Sequence, residues 1–157
     1  MKFLRLALLL ATLFISLPAF ADNWTHEGAN WTTGACSITV PEAFKVSVKG
    51  NNLNAETDTA LAVLMPMPTT VPPEKIMPIL ETEAAKAFKG STFGEAKTVS
   101  QDGMDCTVKI GKMSDVIITL ATFVKGDSKV AVMTFQKAED KATDAVLAQM
   151  MNSLSLK

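Results

Sequence analysis

The sequence predicts an α+β domain, an antiparallel meander of strands packed with two helices. Three observations carry that expectation. Met104, Cys106, Val108 and Ile110 alternate with Asp105, Thr107, Lys109 and Gly111, the two-residue period of a half-buried strand. Asp102-Gly103 and Gly126-Asp127 are hairpin dipeptides that bracket such runs. Ile76, Ile79, Leu80, Ala84, Ala87 and Phe88 recur at helical spacing, as do Ala142, Val146 and Met150.

Residues 1–21 read as a secretory signal rather than as part of the fold. Lys2 and Arg5 form a positive end, positions 6–17 an apolar run too short to span a membrane comfortably, and Ala19-Phe20-Ala21 an A-x-A cleavage site. Cleavage there leaves residues 22–157, a single domain by size, with no membrane span expected once the signal is gone. The expected compartment is the periplasm or the exterior.

Residues 22–33 hold both tryptophans and His26 in a polar setting and read as an N-terminal arm. Cys36 to Val40 is a short strand closed by Pro41, and Phe44, Val46 and Val48 alternate with lysines and a serine in a second. The polar stretch from Gly50 to Thr59 reads as a solvated loop: Asn52, Asn54, Glu56 and Asp58 mimic the opening of a calcium loop, but Thr57 and Val63 stand where the glycine and glutamate belong. Ala60 to Met65 is an apolar strand ended by prolines. The first helix lies within 69–90, its regular part beginning near Met77 so that Pro78 falls in the first turn. A strand over 93–101 leads into Asp102-Gly103. The run from Asp115 to Lys125 is too apolar for a strand wetted on one side and reads as buried on both faces. Lys129 to Gln136 resumes the alternation, and Glu139 to Asn152 forms the second helix.

Composition excludes several classes of function. Without the signal's two cations, the 15 basic residues fall to 13 against 16 acidic ones, a net charge of −3, and every remaining cation is lysine. A chain lacking arginine forks and basic clusters does not suit nucleic acid. His26 is the only imidazole, so no triad or multi-histidine metal site can form. Glu81 and Glu83 diverge on a helix, and no phosphate-cradling glycine loop occurs. The expectation is a protein without enzymatic activity or cofactor.

The two cysteines of an exported chain predict one disulfide, Cys36 to Cys106. Closing a loop of about seventy residues stabilises by roughly 4 kcal/mol in the chain-entropy model. Trp24 and Trp31 are the candidate partner surface, together with the segment from Met65 to Pro73, against the plainer reading that the indoles pack on the sheet edge. Methionine is abundant, with nine residues. Thioethers bind copper(I) or silver, so Met65 and Met67, with His26, form an alternative metal-binding set, against the plainer reading of methionine as core filler.

The order of elements, with Ile38-Thr39-Val40-Pro41-Glu42-Ala43-Phe44, then a strand leading into a helix, then a meander and a final helix ending in Leu154, resembles the PsbP-like fold of the extrinsic photosystem II protein PsbP and the bacterial DcrB proteins. The resemblance implies a sheet with helices outside and a family acting mostly by binding proteins. No functional residue carries over from it. The functional expectation is therefore an exported, non-catalytic protein that binds another envelope protein or assists envelope assembly.

Overall fold

The computed structural model describes residues 24–157; the expected signal at 1–21 lies outside them. In chain order the elements are β1 (Thr25–Glu27), β2 (Asn30–Thr32), β3 (Cys36–Thr39), β4 (Lys45–Lys49), β5 (Asn52–Glu56), β6 (Ala60–Pro66), α1 (Pro73–Ala87), β7 (Thr92–Phe93), β8 (Lys97–Gln101), β9 (Met104–Met113), β10 (Val116–Lys125), β11 (Ser128–Lys137), α2 (Lys141–Asn152) and β12 (Ser155–Leu156). Strands take up 49% of the described residues and helices 20%, which overturns the expected helix-packed α+β meander: the fold is β-rich. A large antiparallel sheet runs β4-β5-β6-β11-β10-β9-β7, with β8 also on β9, and a second sheet runs β1-β2-β3-β12.

Two segments account for the difference. Of the expected arm at 22–33, positions 22 and 23 lie outside the described residues, and residues 25–32 form the hairpin β1–β2, turned at Gly28 with φ +57°. The expected loop at 50–59 contains β5, whose Leu53 and Ala55 are fully buried. Asn52, Asn54 and Glu56 are the alternate face of that strand, so the polar period was a strand period.

The central meander is as the alternation predicts. β9, β10 and β11 pair along nearly their whole lengths. Asp102 and Gly103 both have positive φ, +54° and +75°, as a two-residue hairpin requires. Both faces of β10 are covered, by two different apolar layers. Val116, Ile118 and Leu120 join Leu61, Val63, Met133 and Phe135 beneath α1. Ala121 and Phe123 join Val130, Val132 and Leu64 beneath β3, α2 and β12. The two helices therefore lie on opposite faces of the large sheet.

Helix α1 starts at Pro73 and carries Pro78 inside it, four residues earlier than the prolines suggest. Pro73 at the first helical position has no N–H to leave unpaired. Burial of Ile76, Met77, Leu80 and Ala84 holds the backbone helical through Pro78, whose missing N–H leaves only the Glu74 carbonyl without its bond, on an exposed residue.

Asp140 caps α2 and ties it to the β5–β6 turn. Its Oδ1 accepts from the Thr143 N–H at 3.0 Å, and its Oδ2 accepts from Thr143 Oγ1 at 2.6 Å and from Thr59 Oγ1. The Thr143 hydroxyl, then the Thr59 hydroxyl, hold this carboxyl down at about 2. A depressed carboxylate contributes stability that is complete above its ordinary value and is lost as pH falls through the folded value. Asp140→Asn is expected to be less stable than wild type at neutral pH in urea unfolding, with the gap closing between about pH 4 and pH 2. A gap that stays constant across that window would show the carboxylate charge to be irrelevant.

Candidate functional site

Helix α1 crosses β10 and β11 and leaves the same face of β8 and β9 uncovered. The step between its N-terminal half and the bare strands is an open cleft of about 490 Å³. Its floor is a row of three threonines in register across the sheet, Thr98 on β8, Thr107 on β9 and Thr122 on β10. The Thr98 and Thr107 hydroxyl oxygens lie 2.9 Å apart. Threonine suits a strand by its branched Cβ and gives this floor a row of hydroxyls.

Glu74, Met77, Pro78 and Glu81 of α1 form one wall. Their spacing of three and four residues puts them on one helix face. Lys109 of β9 donates to Glu81 Oε1 at 2.6 Å, closing one end and fastening the helix to the strand. Asp105 lies at the other end, accepting a hydrogen bond from Ser100. Three carboxylates and one ammonium thus line the cleft, which is net acidic by two charges. Ala96 joins the lining from a bulge: three residues lie between Phe93 and Lys97 where two lie between their partners Gly111 and Val108. Gly111 lets β7 seat there, because a Cβ on it would stand 2.5 Å from two Phe93 ring carbons.

The residues singled out from the sequence lie elsewhere and apart. Trp24 is a core residue, its indole N–H donating to the Asn51 carbonyl at 2.8 Å, so it is unavailable to a partner. Trp31 is half-buried on β2 and stacks on His26 with ring centroids 4.3 Å apart. The packing reading of the tryptophans thus describes their positions. Met65 and Met67 are buried under α1, whereas His26 is exposed on the hairpin of the other sheet. The proposed metal set is therefore not assembled. Met67 lines a cavity of about 180 Å³ with Asp127 and Thr33, and neither Met65 nor His26 reaches it. Among the described residues no group of three His, Cys, Asp or Glu side chains converges.

In place of the expected Cys36–Cys106 bridge there are two free thiols. They stand on different sheets, Cys36 within the apolar layer between them and Cys106 packed against it. Burial pushes both thiols above their ordinary value, which suppresses the thiolate that exchange chemistry needs.

The cleft residues carried no signal of function in the sequence beyond one. Thr122 is a polar side chain in a strand otherwise buried on both faces, and such a position has to meet polar neighbours. Among the described residues no helix is long and apolar enough to cross a membrane. No known family model matches the chain, and no curated protein is similar to it.

Proposed function

We propose that this is an exported, non-catalytic binding protein that holds a basic segment of another envelope protein in the cleft between α1 and β8–β9. The observation that carries the reading is the acidic cleft itself: Glu74 and Asp105 stand at its mouth with no ion-pair partner among the described residues, while Glu81 is already matched by Lys109. A lysine or arginine side chain fits this arrangement, its stem along Met77, Pro78 and Val124 and its charge between the carboxylates. Support for a non-catalytic role comes from the same lining. Its hydroxyls belong to Thr98, Thr107 and Thr122, and His26, the one imidazole, lies on the other sheet. Export rests on the signal pattern at 1–21, and the PsbP-like resemblance agrees with a binding role.

Photo-crosslinking side chains placed at Glu74 and at Asp105 are expected to trap the same envelope protein, and one placed at Lys141 on α2 is expected not to. Reversing both charges, Glu74→Lys with Asp105→Lys, should weaken capture about ten-fold or more. Capture that is equally efficient from Lys141, or that survives the reversal, rules the cleft out.

A further inference from the structure

The large sheet has two edges, and they differ in a way that bears on self-association. At one edge β4 reads Lys-Val-Ser-Val-Lys. Pairing two copies of it antiparallel about Ser47 sets Lys45 opposite Lys49 twice, a like-charge arrangement that blunts the edge. At the other edge β8 reads Lys-Thr-Val-Ser-Gln. All five of its residues are exposed, Val99 by 63%, and β9 is its one strand partner among the described residues.

The backbone polarity of β8 follows from its turn. Gln101 and Met104 flank a two-residue loop and are therefore a hydrogen-bonded pair, and alternation makes Val99–Cys106 and Lys97–Val108 bonded pairs too. The N–H and C=O groups of Thr98 and Ser100 consequently point away from the sheet. We propose that β8 pairs antiparallel with β8 of a second copy, about a two-fold axis through Val99.

In that register Thr98 faces Ser100 of the second copy on both sides of the axis, and all four outward groups of each strand are used. Val99 meets Val99 in the non-bonded position, where side chains approach most closely. Lys97 faces Gln101, one residue from Asp102 at the hairpin tip, so opposite charges meet where β4 would bring lysines together. Centring the pair on Lys97 instead opposes two ammonium groups. The axis is perpendicular to the sheet, which puts both clefts on the same face of one continuous sheet. Dimerisation uses the strand edge and does not depend on what the clefts bind.

Sedimentation velocity across a wide concentration range tests this. The wild-type protein is expected to pass from monomer to dimer at micromolar concentrations. Val99→Lys and Val99→Asp are each expected to weaken dimerisation more than about ten-fold, while an equimolar mixture of the two recovers it, since the lysine then faces the aspartate. Because Val99 is largely exposed, both variants should unfold thermally as wild type does. Ser100→Pro, which removes an outward N–H and the side-chain bond to Asp105 but none of the backbone bonds to β9, should also be monomeric. A wild-type protein that stays monomeric overturns the proposal and leaves the edge to an extended segment of some other protein. Dimers that persist in Val99→Lys, or a mixture that stays monomeric, overturn the register.

Discussion

Phe135→Ala is expected to lower the unfolding free energy by about 4 kcal/mol, the range for removing a buried aromatic ring. Phe135 is 1% exposed on β11, opposite Leu61 of β6 and Ile118 of β10. Its ring stacks on Phe88 with centroids 5.0 Å apart, at the point where the chain leaves α1. Truncation removes the transfer energy of the ring, opens a void in a layer that the strands cannot close, and frees the C-terminal end of the helix. Phe135→Leu keeps most of the volume and should cost about 1 kcal/mol. Urea denaturation of the three proteins checks this. A loss below about 1.5 kcal/mol for the alanine variant would mean that the layer collapses onto the gap.

Lys129→Met should be the most damaging change at a charged residue, lowering stability by about 2 kcal/mol. Lys129 is 6% exposed, and its ammonium donates to the carbonyls of Thr69 at 2.8 Å and Val71 at 2.7 Å. Methionine keeps the stem but leaves both carbonyls without that donor. Two hydrogen bonds to a charged group amount to roughly 3–6 kcal/mol, and relief of the ammonium's desolvation offsets part of it. The lesion has a local signature, because these carbonyls belong to the turn that launches α1. Limited proteolysis should cut the variant at residues 68–72 faster than wild type, and undiminished protection there would show that the prolines hold the turn without the lysine.

Much of the core was legible because its signals are local. The alternation of β9 and β11, the doubly apolar β10 and the glycine turns fix each strand from residues two apart, and α1 and α2 show their apolar stripes. The same reasoning failed at β5, where asparagines at alternate positions looked like a loop. A strand in which only Leu53 and Ala55 face the core shows its apolar side in two residues, too few to outweigh its polar side. At Trp24 it left packing and a partner surface both open, since indole burial depends on a partner, the Asn51 carbonyl, that lies 27 residues away. The candidate site was almost invisible. Thr98, Thr107 and Thr122 sit on three strands and become neighbours only through register.

Local residues alone set the strands of the meander, the two helical stripes and the hairpin turns, and composition alone shows one imidazole and no arginine after Arg5. Backbone dihedrals and hydrophobic period are set by nearby residues, so these could be read along the chain. Tertiary structure alone decided that the helices take opposite faces, that the thiols face one buried layer without joining, and that α1 stops short of β8 and β9 to leave the acidic cleft and a bare edge. Those outcomes depend on how much area each helix covers and on which strands stand side by side, and neither is written at any single position.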